Sequence, residues 1–146
     1  MKICFTIFAV ILAFHASLGQ HLEPQRGDNL ILIKVSSNQD STYTAIGHAL
    51  VTSGFALITD SREFKQFTTN PKILNQSFDI RYAVVVTIDG DWIKIAPMIH
   101  LQNTVENNPG VYKWYYKKSK YSTNSVVLSD IQKTFGPFGA LHFNKI

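Results

Sequence analysis

Histidines and carboxylates are the side chains that most often move protons or hold metals near neutral pH. Downstream of residue 19 the chain has four histidines: His21, His48, His100 and His142. None stands at metal-ligand spacing from another, or from a neighbouring acid in a known motif. The expectation is therefore no metal site and no cofactor. One pair could do acid–base work. A hairpin closed at Asp89-Gly90 puts Asp79 opposite His100, and a carboxylate beside an imidazole orients the ring and favours its charged form. A hydrolase-like enzyme would use such a pair. The same two residues also make an ordinary cross-strand polar contact of about 0.2–1 kcal/mol. No nucleophile elbow, phosphate loop or zinc-protease signature accompanies them. The reading that follows is a non-catalytic protein, with the Asp79/His100 enzyme as the alternative.

A second stretch points to binding instead. Residues 112–121, "YKWYYKKSKY", hold five aromatics and four lysines and no acid. On a strand, Tyr112, Trp114 and Tyr116 share one face. Aromatics at period two form a flat platform suited to sugar rings or to a partner's apolar anchors. Lys117, Lys118 and Lys120 would add attraction for an anionic polymer, screened by salt. The competing explanation is an edge strand, its aromatics packed inward and its lysines preventing pairing with another chain.

Composition narrows the partner classes. The full chain has 146 residues and a net charge of +4. Residues 1–19 read as a signal peptide: Lys2, an apolar run from Ile3 to Phe14, then Ser17 and Gly19 at the small-residue positions before a cut. Beyond that cut the net charge is +3, without the concentrated basic patch of a nucleic-acid binder. No nucleic acid and no membrane span after cleavage are expected. The expected partner is a protein, an envelope polymer or a small ligand. The single cysteine, Cys4, falls in the leader, so the remainder has neither disulfide nor thiol nucleophile. A secreted or periplasmic location follows from the leader.

The elements that must position these residues show in the hydropathy periods. Residues 20–28 are polar, with Pro24 and Gly27, and read as a flexible N-terminus ahead of one domain over 29–146. Residues 30–35 form a short apolar run, a buried strand. Tyr43, Ile46, Ala49 and Leu50 recur at helical spacing between a cap at Asp40 or Ser41 and Gly54, which predicts a helix over 41–53. Mid-helix Gly47 weakens that helix or lets it pack closely on a sheet. Residues 55–59 and, less regularly, 63–69 read as strands. From Phe78 to Leu101 strict alternation surrounds Asp89-Gly90, a two-residue hairpin turn. That register sets Val86 against Ile93 and Pro97 against Tyr82, where a ladder would want the N–H that proline lacks. A strand over 111–118, a helix over about 125–135 ended by Gly136-Pro137, and an apolar tail complete the chain.

This order predicts an α+β domain, an antiparallel sheet of five to six strands with two helices packed on one face. The leader, the strand–helix unit 30–53, the long hairpin about Asp89-Gly90 and the closing helix together resemble small secreted domains of bacterial envelopes with a TATA-binding-protein-like fold. The resemblance covers most of the chain after the leader and implies an exported α+β domain. It transfers no functional residue.

Overall fold

The computed structural model describes residues 20–75, 80–101, 110–117 and 122–146. The described elements run β1 (Leu30–Lys34), α1 (Gln39–Thr52), β2 (Leu57–Ser61), β3 (Gln66–Thr69), β4 (Lys72–Asn75), β5 (Ile80–Asp89), β6 (Trp92–Leu101), β7 (Gly110–Lys113), α2 (Thr123–Phe135), a 3₁₀ turn (Gly136–Phe138) and β8 (Leu141–Asn144). Eight strands form one antiparallel sheet in the order β2-β3-β5-β6-β1-β8. The sequence predicts five to six strands; the additions are β4 and β8, the latter formed by the apolar tail. Two strands lie off that path, end to end with others: β4 follows β3 along β5, and β7 shares the outer edge of β6 with β1.

The long hairpin is the spine. Its register differs from the sequence expectation by two residues. Asp89 pairs with Trp92, Ile88 with Ile93, and Val86 with Ile95, so the turn residues are Gly90 and Asp91. The reason lies in φ. A turn centred on Asp89-Gly90 needs both residues in the left-handed region. The observed turn puts Gly90 alone there, at φ 57, and Lys65 is the only described non-glycine with positive φ. An even shift preserves the faces, so Tyr82, Val84, Val86, Ile88, Ile93, Ile95 and Ile99 all point into the core.

The shift also resolves Pro97, which sits opposite Val84 and not Tyr82. Counting outward from the Asp89–Trp92 pair, this is a non-hydrogen-bonded site towards β5. The proline nitrogen faces the far edge of β6, where β1 pairs as far as Ile95 and β7 begins at Met98. No ladder donor is needed in that gap. The Pro97 carbonyl is used there, accepting from the Trp114 N–H at 3.1 Å.

Both helices cover the face that carries Tyr82. In α1, Tyr43, Ile46 and Leu50 are buried at helical spacing; in α2, Val127, Ile131 and Phe135 are. Each such residue contributes about 1.5–3 kcal/mol on burial. Asn38 caps α1, its side chain accepting from Asp40 N–H at 2.8 Å. At the other end Gly54 (φ 86) donates to Val51 O and Phe55 donates to Leu50 O, both at 3.0 Å. That pair of bonds is a Schellman stop, with Phe55 and Leu50 in apolar contact beside it. Ser122 caps α2, which starts two residues before the expected position.

Residues 20–28 are tied to the domain. His21 forms an antiparallel bridge with Phe143, and its Nε2 lies 2.6 Å from buried Asp28. The Asp28 carbonyl accepts from Tyr116 N–H at 2.7 Å.

Candidate functional site

The described part of the expected aromatic platform faces the core, as the inward-packed alternative had it. β7 ends at Lys113, Trp114 N–H still bonds to Pro97 O of β6, and Tyr116 then pairs with residues 27 and 28. Trp114 turns inward. Its ring is 0 % exposed and its Nε1–H donates to Asn124 O at 3.1 Å, in the first turn of α2. Trp114 therefore offers no face to a ligand; the core uses it. Tyr116 is partly buried and packs on the same core. The outward residues are Lys113, Tyr115 and Lys117. The Tyr112 side chain, Lys118 and Lys120 lie outside the described residues.

The proposed acid–base pair is not assembled by the observed register. Arg81, not Asp79, stands opposite His100, and Asp79 lies outside the described residues. Burial lowers the His100 pKa from its ordinary value, and the ring Nε2 is enclosed without a hydrogen-bond partner among the described residues. The other histidines are dispersed. His48 Nδ1 lies 3.2 Å from Thr52 Oγ1 on α1, and His142 meets the edge of Trp92 at 5.6 Å between centroids on the sheet face away from the helices. Among the described residues no three histidines, cysteines or acids are grouped as a metal site would need.

Among the described residues a groove lies elsewhere, between α1 and the β2–β3 hairpin. It is open to solvent and offers about 590 Å³, within the range of small-molecule pockets. One wall is α1, contributing Tyr43, Thr44, Gly47, His48 and Val51. The opposite wall is Leu57 and Asp60 of β2 with Arg62 of the following turn, and Phe67 of β3 forms the floor. Local sequence explains each wall. Gly47 has no side chain to hold Phe67 away: a Cβ there would stand 3.2 Å from the Phe67 ring. Phe67 stacks on Tyr43 with centroids 4.3 Å apart. In β2 a register shift at Ile58 kinks the strand, and Asp60 comes to face α1.

The electrostatics of the groove are paired but not saturated. The Tyr43 hydroxyl donates to Asp60 Oδ1. Burial first, then the Asp60 bond and charge, push the Tyr43 pKa up to about 12. Lys65 pairs with Asp40 at the mouth and holds that carboxyl below its ordinary value. Arg62 lies 6.0 Å from the Tyr43 centroid, and its charge also acts on the Asp40 carboxyl. The rim thus carries a guanidinium and a carboxylate with one oxygen spoken for, over an apolar floor.

A second cluster sits across the core and braces three elements. Tyr82 of β5 donates to Asp130 of α2, and Lys72 of β4 lies 2.6 Å from the same carboxylate oxygen. Lys72 also donates to Ser53 O at 2.9 Å and stands 4.4 Å from the Phe55 ring centroid. Its role is tying β4, the end of α1 and α2 together.

The groove residues escaped the sequence reading because they come from three elements and share no motif. Gly47 was the one visible sign, as a glycine inside a helix. The strand expected over 63–69 is irregular because Phe64 and Phe67 are three apart; the strand begins at Gln66, and residues 62–65 form the turn before it.

No family model, no curated protein and no solved structure matches the chain. Its function has to be argued from its own residues. Among the described residues no helix is long and apolar enough to cross a membrane.

Proposed function

We propose that the protein is a non-catalytic, exported binding module whose ligand seat is the groove between α1 and the β2–β3 hairpin. The observation that carries this reading is the groove itself: about 590 Å³, floored by Phe67 and rimmed by Arg62 and Asp60. An apolar floor with a few convergent polar groups is the usual make-up of a ligand pocket. The ligand is a small molecule with an apolar body and polar ends that meet the rim charges. Export rests on residues 1–19, whose cationic start, apolar run and Ser17/Gly19 spacing are those of a cleaved leader. The resemblance to envelope domains agrees with a secreted or periplasmic place.

The test uses 8-anilinonaphthalene-1-sulfonate, an apolar body with one anionic group, as a fluorescent probe. Val51 lines the groove and is 59 % exposed, so Val51→Glu places a carboxylate in the seat without touching the core. Binding to Val51→Glu is expected to weaken by about tenfold, ~1.4 kcal/mol, with the melting temperature unchanged. Equal binding by the two proteins would remove the groove as the seat.

A further inference from the structure

Cleavage after Gly19 makes Gln20 the first residue of the exported chain. An N-terminal glutamine carries an amine and a side-chain amide placed to react with each other. The Gln20 α-nitrogen attacks the side-chain carbonyl carbon Cδ, a C–N bond forms, the bond from Cδ to Nε2 breaks, and ammonia leaves with the displaced proton. The product is a five-membered lactam. No oxidant, reductant or second substrate enters the balance. We infer that the exported protein is modified at Gln20, carrying a pyroglutamyl cap that protects the His21 latch from removal.

The fold supplies both the freedom and the reason. Gln20 is exposed, and neither its backbone nor its side chain makes a hydrogen bond among the described residues. All five ring atoms belong to Gln20, so closure disturbs nothing behind it. His21, one residue on, is fully engaged. Its N–H donates to Phe143 O at 3.2 Å, its carbonyl accepts from Phe143 N–H at 2.8 Å, and its Nε2 meets Asp28 Oδ2 at 2.6 Å. The ring leaves the amide between residues 20 and 21 intact, so the bridge to β8 survives.

Asp28 gives the cap its value. Its side chain is 3 % exposed and is held by His21 and by Gln25 N–H at 2.6 Å. An aminopeptidase that removed Gln20 and then His21 would take two bonds from β8 and leave a buried carboxylate with only the Gln25 N–H, without the imidazole, a costly loss. A lactam has no free α-amine for such an enzyme to grip. The cap also removes one positive charge from the terminus.

The inference rests on the export reading above, and the measurement separates the two. The full chain is expressed with its leader in an exporting host, and the recovered protein is weighed intact and by its N-terminal fragments. The expected mass is that of residues 20–146 less one ammonia. Gln20→Ala has no side-chain amide to lose ammonia and should give its own mass with a free amine. Challenge with an aminopeptidase should shorten Gln20→Ala and lower its melting temperature while leaving the wild-type protein unchanged. A wild-type chain that starts at Gln20 with a free amine, even after prolonged incubation at neutral pH, overturns the cap and leaves export standing. A chain that retains residues 1–19 overturns both. Equal resistance of the two proteins to the aminopeptidase overturns the protective role.

Discussion

Trp114 and Tyr82 are the largest side chains wholly removed from solvent, and each buries a polar atom along with its ring. The Trp114 indole reaches Asn124 O and the Tyr82 hydroxyl reaches Asp130, so neither atom is orphaned. Trp114→Ala should cost about 3–5 kcal/mol in a chemical denaturation experiment, the range for emptying a large aromatic site. Tyr82→Phe should cost only about 1 kcal/mol, because Asp130 keeps Lys72. Tyr43 gives a pH signature. With its pKa raised from 10.0 to about 12, the folded state favours the protonated phenol. That stabilisation is complete below pH 10 and is lost as pH rises towards 12. Tyr43→Phe should flatten the fall of the denaturation midpoint across that window. His100 acts on the acid side. Its lowered pKa favours the neutral ring in the fold, so its contribution is present above its ordinary 6.5 and fades as pH falls below it. His100→Met should be less sensitive to mild acid. At this scale the sequence told which residues were aromatic or titratable, but not which way they faced. The alternation runs on from Lys113 to Lys117, but it places Trp114 and Tyr116 on the core side and leaves Lys113, Tyr115 and Lys117 outside, a choice of face that period alone does not make.

Elements were more legible, because their signals are local. Tyr43, Ile46 and Leu50, Gly54 as the stop, and the alternation of the long hairpin each marked an element that is present. The hairpin register was misread by two because two turns compete at Asp89-Gly90-Asp91. The strain of a left-handed Asp89 decides between them, and it leaves the buried face unchanged. Two glycines test the packing of α1. Gly54 sits at φ 86 with open space where a Cβ would go, so Gly54→Ala meets only backbone strain. It should cost about 1–2 kcal/mol. Gly47→Ala puts a methyl 3.2 Å from the Phe67 ring. Its gain in helix propensity of about 1 kcal/mol should be offset by the displaced ring, and probe binding should weaken because the groove floor moves. Thermal melts of the two variants, with the probe titration repeated on Gly47→Ala, check both outcomes.

Over the whole molecule, the α+β class and the antiparallel sheet follow from element order, whereas the sheet order does not. Nothing local tells β1 to lie between β6 and β8, or β4 to continue the line of β3 along β5. Those pairings are set by which apolar faces close over one core, a non-local outcome. The edges are treated differently. His21 pairs with β8 at one side, and at the other the kink at Ile58 bends β2 away from a straight template. The groove is the product of that kink, of Gly47 and of the Tyr43–Phe67 stack, three features 24 residues apart at most along the chain. The account stands or falls on whether that hollow is where a ligand sits. The most direct measurement is an amide chemical-shift titration of the protein with 8-anilinonaphthalene-1-sulfonate. Saturating shifts confined to Thr44, Gly47, His48, Val51, Leu57 and Arg62 are predicted. Shifts absent from these amides, or centred on Tyr115 and Lys117 instead, would contradict it.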